Sequence, residues 1–267
     1  MSSMKILERT SQLAKVFGID FTSVLTRGSQ YRVESMLLRL TKVCCSSFLV
    51  LVLILMQINN YVLLTPSRKQ VNEQRAALCQ ALNMEPRSNF YHDPVLVLDF
   101  QSLYPSMMIA YNLCFSTCLG EIPQAPSATP QFGCLPKSPA SLSDMGLLGS
   151  DRLNIAPLSG TRGVLFARPE VRRGVLPAML EEILETRKMV KARMKLSDKE
   201  PVLKQMLDFC QLALKLIANV TYGYTAASFS GRMPCIDLGD SIVGLGRRTT
   251  ENAKSVIEST WPHCKVV

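Results

Sequence analysis

Apolar residues recur along this 267-residue chain both in short runs and at helical spacing. Four successive apolar residues at 95–98 predict a short buried strand, and a second ordered apolar stretch follows at 164–166. Apolar positions three and four residues apart predict helices, which lie over residues 8–42, 176–194, 202–217 and 241–259. The pattern thus combines short strands with longer helices.

Turn and loop residues separate these elements. A turn at residues 197–201 joins two of the helical patterns and predicts an antiparallel helical hairpin. Gly223 is expected to break the second helix of that hairpin. Residues 107–119 continue the apolar pattern and predict a further helix, whereas the many prolines and serines over 121–163 predict a long loop or a poorly ordered insert.

One apolar segment stands apart from this scheme. Residues 43–56 read VCCSSFLVLVLILM, which is shorter than the roughly 20 residues that a membrane-spanning helix needs. Three interpretations stay open: a buried strand or helix, a membrane-associated segment, or an apolar insert at about 43–57 that arose by translation of an unspliced intron. We expect no membrane partner and exclude the segment from functional reasoning.

Charge and cysteine content narrow the function classes. The formal net charge of +9 favours an anionic partner such as nucleic acid or nucleotide. The nine cysteines include no CxxC pair, and the two histidines, His92 and His263, stand at no metal-ligand spacing. The sequence therefore predicts a reduced intracellular chain without a zinc or iron–sulfur site.

Candidate chemistry appears in two places. Asp99 ends the predicted strand and a Ser-Leu-Tyr-Pro turn follows it, although an isolated aspartate at a strand end is more often a turn or cap residue. Arg187 and Lys191 share one helix face, because they are four residues apart. The next helix carries four polar residues on one face, and these are Gln211, Lys215, Asn219 and Tyr222. Taken alone, these two faces are typical of amphipathic helices with solvated charge.

The two places together resemble a known family. DFQSLYPS at 99–106 resembles the first catalytic motif of family B DNA polymerases, and KLIANVTYG at 215–223 resembles their fingers motif, with Val220 where serine is usual. Within that family the chain is most similar to zeta-type polymerases and less similar to the alpha and delta types. The similarity covers about three quarters of the chain, fails at roughly 43–57 and is poor over 121–160.

The resemblance implies a catalytic and metal-binding role for the first motif. Asp99 would hold two Mg²⁺ ions, and the Phe100 carbonyl would add a ligand. Backbone N–H groups of Ser102 and Leu103 would hold phosphate oxygens. The Tyr104 ring would lie under the incoming sugar and leave no room for a ribose 2′-OH.

The resemblance also assigns roles in the fingers hairpin. Lys215 would contact the triphosphate and act in catalysis, while Asn219 and Tyr222 would line the pocket of the nascent base pair. Arg187 and Lys191 match the basic pair that grips the γ- and β-phosphates. Such cations neutralise the charge of a triphosphate during phosphoryl transfer, and helices that move can deliver them with the nucleotide.

The family's third motif, YGDTDS, has no counterpart in these 267 residues. Residues 239–241 read Gly-Asp-Ser, but we reject them as the catalytic pair because they follow the fingers motif directly. The expected segments are 1–93, which enters the palm; 94–166, the first palm part; 167–223, the fingers hairpin; and 224–267, the start of the second palm part. The chain ends at residues 265–267, where the missing strand would be expected to begin.

The resemblance thus implies an α+β fold with part of an antiparallel palm sheet and a two-helix fingers hairpin. It implies a fragment of a nuclear, zeta-type translesion DNA polymerase that is inactive alone. Its expected partners are primer–template DNA, deoxynucleoside triphosphates and accessory polymerase subunits. The alternative is a truncated, non-catalytic isoform that binds DNA or nucleotide.

Overall fold

A computed structural model describes residues 2–41, 67–74, 76–122, 153–156, 163–197, 199–227 and 231–266. The apolar run at 43–57 lies outside these residues. The described helices are α1 (Ser2–Phe17), α2 (Phe21–Thr26), α3 (Ser29–Thr41), α4 (Arg68–Asn72), α5 (Leu103–Ala110), α6 (Val175–Leu196), α7 (Pro201–Ala226) and α8 (Ile236–Thr260). The strands are β1 (Cys118–Glu121), β2 (Leu153–Ala156) and β3 (Val164–Ala167). The predicted α+β class is confirmed, and none of the described helices is both long and apolar enough to cross a membrane.

The chain divides into two compact units. One unit comprises residues 1–74 and 175–234, and it contains α1 to α4 together with α6 and α7. The other comprises residues 75–174 and 235–267, and it contains α5, the three strands and α8.

Helices α6 and α7 form the predicted antiparallel hairpin in the first unit. Proline at the first turn of each helix agrees with this assignment, since an N-terminal N–H has no helical partner to lose. The buried side chains of the hairpin lie near the start of α6 and the end of α7, and they include Leu180, Ile183, Leu214 and Ile217. The adjoining ends of the two helices carry exposed apolar residues, Leu196 and Val202.

The prediction that Gly223 ends the second hairpin helix was wrong. Helix α7 continues through Gly223 to Ala226. Tyr224 and Thr225 are fully buried, and this burial stabilises the final turn by more than one glycine costs it.

Helices α1 and α3 pack against α7 and hold its last turn. The buried Tyr224 hydroxyl donates to Glu34 Oε1 at 3.4 Å, and Arg232 Nε forms an ion pair with the same oxygen at 2.6 Å. Burial of the phenol, with the neighbouring Glu34 carboxylate, raises the pKa of Tyr224 well above its ordinary value. The amino-terminal helices therefore fix the orientation of α7 in this unit.

The second unit is built on a three-stranded antiparallel sheet in the order β1-β3-β2. The central strand β3 is buried at all four positions, as expected for a strand with neighbours on both sides. A bulge interrupts the β1–β3 pairing between Cys118 and Gly120, where Gly120 has φ +99°. Strand β2 lies within the stretch predicted as a long loop or a poorly ordered insert, so that prediction was wrong at residues 153–156.

The predicted helix over 107–119 was also wrong beyond Ala110. Helix α5 ends there, because Asn112 adopts a left-handed conformation with φ +55° that a helix cannot include. The chain then turns into β1. Cys114 and Cys118 are buried, and neither of them forms a disulfide bond.

The prediction of a buried strand at 95–98 was wrong as well. The four side chains are between 59% and 90% exposed, and no described strand pairs with this segment. A strand needs a neighbouring backbone for its hydrogen bonds and a covering layer for its apolar face. Neither is present among the described residues, so the apolar pattern alone did not produce a strand.

Candidate functional site

The candidate metal ligand Asp99 is exposed and lies shortly before α5 in the second unit. Phe100 follows it with 41% of its surface exposed. Helix α5 then begins at Leu103, so the acidic residue stands at the entrance of a helix whose first N–H groups have no intrahelical partners. The helix therefore begins inside the Ser-Leu-Tyr-Pro stretch that was predicted as a turn, four residues before the predicted helix start at residue 107.

Ser102 links Asp99 to the helix in a strained conformation. Its backbone is left-handed, with φ +54° and ψ +52°, and its side chain makes no capping hydrogen bond. A non-glycine residue in this region costs on the order of 1 kcal/mol, and such strain concentrates at functional sites. A left-handed residue next to a right-handed one also turns successive N–H groups toward one point, which is a geometry that binds anions. This conformation is suited to the phosphate contacts predicted for Ser102 and Leu103.

Tyr104 is half-buried between α5 and α8. Its ring lies against Gly246, and one turn later Thr249 Oγ1 donates to Met107 Sδ at 3.3 Å. Two successive turns of α5 therefore contact two positions of α8. The ring predicted to select the sugar rests on a defined surface of the neighbouring helix.

The predicted polar face of α7 is present in the first unit. Lys215 and Asn219 are exposed, and Tyr222 is half-buried. The opposite face is buried through Ala213, Leu214, Ile217 and Ala218. The helix thus presents the predicted cation, amide and ring on one side while the other side anchors it.

The two predicted cations of α6 are half-buried. Arg187 Nη2 donates to Gln211 Oε1 at 3.4 Å, which connects α6 to the polar face of α7. Gln211 Nε2 in turn donates to Asp208 Oδ1 at 3.0 Å. Arg187 Nε is buried and is one of two buried side-chain nitrogens in the described part of the chain without a hydrogen-bond partner. A buried guanidinium N–H without a partner is unfavourable, and an anion would satisfy it.

The donor set around Asp99 does not suffice for two metal ions. One carboxylate and one backbone carbonyl are oxygen ligands of the kind that Mg²⁺ prefers. However, the described residues contain no group of three or more histidines, cysteines, aspartates or glutamates that could hold a metal.

The Gly-Asp-Ser segment at 239–241 has a structural role. Asp240 is buried within α8, and its carboxylate accepts the backbone N–H groups of Leu78 at 3.0 Å and Cys79 at 3.1 Å. Ser241 Oγ donates to the Asp237 carbonyl at 2.6 Å. These bonds tie the segment before Asp99 to α8 within the second unit.

Two residues that support the candidate site were missed in the sequence. Gly246 contacts Tyr104. A glycine inside a helical pattern often has a packing reason, so the sequence could have indicated a close contact at this position. Asn112 binds the loop that leads to α6, but nothing in the local sequence distinguishes it from an ordinary loop asparagine.

Comparison with known proteins agrees with the motifs. The sequence model described as DNA polymerase family B matches residues 19–266. The chain is 54% identical over 260 residues to the DNA polymerase zeta catalytic subunit of Arabidopsis thaliana, covering 97% of this chain and 12% of that protein. It is 49% identical over 261 residues to the human zeta catalytic subunit, covering 97% of this chain and 8% of that protein.

A solved structure gives the same result at the level of the fold. The family B DNA polymerase of the archaeon Pyrobaculum calidifontis superposes with a TM-score of 0.59 at 25% sequence identity. The superposition covers 98% of this chain and 28% of the archaeal chain. The chain therefore spans only a small part of each of these three proteins.

Proposed function

The chain belongs to DNA polymerase family B, and we propose on that basis that it carries the nucleotide-binding part of a zeta-type translesion DNA polymerase. The reaction is the addition of a deoxynucleoside triphosphate to a primer 3′-OH, with release of pyrophosphate. The observation that carries this proposal is the 54% identity to a zeta catalytic subunit over a stretch that includes both motifs.

In this proposal the second unit receives the sugar and the phosphates. Asp99 would offer a carboxylate oxygen, and Phe100 its carbonyl oxygen, to a magnesium ion. The left-handed Ser102 and the first turn of α5 present N–H groups to phosphate oxygens. The Tyr104 ring, which is supported by α8, fills the space that a 2′-OH would need.

The first unit supplies the cations. Lys215 contacts the triphosphate and stabilises the charge that develops during transfer, while Asn219 and Tyr222 line the base-pair pocket. Arg187 and Lys191 bind the γ- and β-phosphates. The buried Arg187 Nε supports this role, because a phosphate oxygen would give it the partner that it lacks among the described residues.

Magnesium supplies charge neutralisation and nucleophile activation when it is bound in such a site. The 267 residues contain one candidate aspartate for this purpose and no DTD sequence. Two ions held by one carboxylate would be poorly positioned, and in-line transfer tolerates little misplacement. We propose that this polypeptide alone does not polymerise DNA.

Primer extension tests this proposal directly. The isolated chain, a labelled primer–template, Mg²⁺ and all four deoxynucleotides are incubated beside a full-length zeta catalytic subunit as the positive control. We expect extension by the control only. Extension by the isolated chain that disappears in Asp99→Asn would show that one aspartate suffices and would contradict the proposal.

The remaining partners follow from the same proposal. Primer–template DNA and deoxynucleotides are the substrates, accessory polymerase subunits are the protein partners, and the nucleus is the compartment. The second candidate function is a non-catalytic isoform that binds DNA or nucleotide, and it is favoured by the single candidate aspartate. Nucleotide binding without primer extension would support this isoform.

A further inference from the structure

Gly246 occupies a position where glycine is not expected. It lies inside the 25-residue helix α8 and is buried. Glycine in a helix interior lowers stability relative to alanine by about 1 kcal/mol. Two explanations are possible for such a residue: the site is open and the glycine is incidental, or there is no space for a Cβ atom.

The geometry favours the second explanation. A Cβ atom at Gly246 would lie 3.1 Å from Tyr104 Cε1, 3.4 Å from Tyr104 Cδ1 and 3.7 Å from Leu103 Cδ2. The closest of these distances is shorter than ordinary van der Waals contact, so the ring would have to move by a few tenths of an ångström. Gly223 provides the contrast, because it also lies inside a helix but has no atom within 4 Å of its Cβ position.

The surroundings limit how the ring can respond. Pro105 and Met108 are buried in α5, and Leu245 is buried beside Gly246 in α8. One turn along, the Met107–Thr249 contact keeps the two helices in register. The Tyr104 ring is only half-buried, so displacement away from α8 is the easiest adjustment.

We infer that Gly246 is a positioning residue for the nucleotide sugar: its missing side chain lets the Tyr104 ring lie close to α8, and this sets the space left for the sugar. The inference rests on the proposed role of Tyr104 under the sugar. A methyl group at position 246 would push the ring toward the sugar. Binding of deoxynucleotide and ribonucleotide would both weaken, since a closer ring meets the C2′ carbon as well as its hydroxyl.

The first measurement follows the ring itself. The whole chain is prepared with 3-fluorotyrosine, and the Tyr104 signal among its seven tyrosines is assigned with Tyr104→Phe. Gly246→Ala should shift the Tyr104 fluorine resonance. Gly28→Ala is the control. In contrast to Gly246, no atom lies within 4 Å of the Gly28 Cβ position, and Gly28 lies outside the proposed site. An unchanged Tyr104 resonance in Gly246→Ala would overturn the inference.

The second measurement separates positioning from general damage. Equilibrium dialysis with radiolabelled dATP or ATP and Mg²⁺ gives the Kd of each variant. Gly246→Ala should weaken dATP binding by about three- to tenfold while Tyr104 is present, and it should have no effect in a Tyr104→Ala background. An equal loss in both backgrounds would mean that the methyl group acts through the fold and not through the ring.

The two proposals fail in different ways. If the unaltered chain binds neither nucleotide, both the proposed function and the proposed role of Gly246 are wrong. The Tyr104 fluorine resonance would still shift in Gly246→Ala. If the unaltered chain binds dATP but Gly246→Ala leaves both the resonance and the Kd unchanged, only the role of Gly246 falls.

Discussion

The Asn112 side chain makes three hydrogen bonds within the second unit. Its buried amide donates to the Ala167 and Arg172 carbonyls, each at 2.8 Å, and accepts the Gly174 N–H at 2.8 Å. Gly174 directly precedes α6 in the chain. One side chain therefore holds both ends of the connection between β3 and the first hairpin helix.

Replacement of Asn112 should destabilise the second unit. Asn112→Ala removes all three amide bonds and places alanine at φ +55°, so we expect a loss of about 2–4 kcal/mol in the free energy of unfolding. Urea denaturation measures this loss. Asn112→Gly is the matched control, because it removes the same bonds without the backbone strain. A change below about 0.5 kcal/mol for Asn112→Ala would contradict this role.

The candidate site residues could be predicted only where a linear motif or a regular helical spacing contained them. Asp99, Tyr104 and Lys215 follow from linear motifs, and the polar face of α7 follows from helical spacing. The contacts of Gly246 and Asn112 do not, because each depends on a partner far away in the sequence. The left-handed backbone of Asn112 and the lack of space for a Cβ atom at Gly246 can be recognised only once the neighbouring elements are known.

At the scale of elements, α7 shows how burial overrides a local breaker. Gly223 interrupts the apolar pattern, yet the helix continues because Tyr224 is buried beyond it. Long amphipathic helices were therefore predicted well, and their ends less so. At residues 95–98 it was the strand prediction that was wrong. The apolar pattern is typical of a strand, but no described strand pairs with this segment.

The open space beside Gly223 gives a prediction for α7. Gly223→Ala adds a methyl group where no atom lies within 4 Å, so the gain in helix propensity should raise the free energy of unfolding by about 0.5–1 kcal/mol. Thermal and urea unfolding measure the change. Gly246→Ala is the comparison, since contact with Tyr104 should offset the same gain. A loss of stability in Gly223→Ala would show that α7 does not continue as described.

At the scale of the whole molecule, the chain spans 12% of one zeta catalytic subunit and 8% of another. Asp99 and Tyr104 lie in one of its two units, and Arg187, Lys191 and Lys215 lie in the other. The family and the mixed α+β class could be predicted from the sequence because motifs and periodicity are local. The sheet order could not, since it depends on pairing between distant segments.

The central claim is that the fingers cations of this chain bind a nucleoside triphosphate. The decisive measurement is the Kd for radiolabelled dATP with Mg²⁺, determined by equilibrium dialysis for the unaltered chain, Lys215→Gln and Lys204→Gln. Lys204 lies on the same helix but outside the candidate site. Because both variants replace lysine with glutamine, they change the net charge equally. We predict that Lys215→Gln weakens binding about ten- to hundredfold while Lys204→Gln leaves it unchanged. Equal Kd values for the two variants, or no binding by the unaltered chain, would contradict the account.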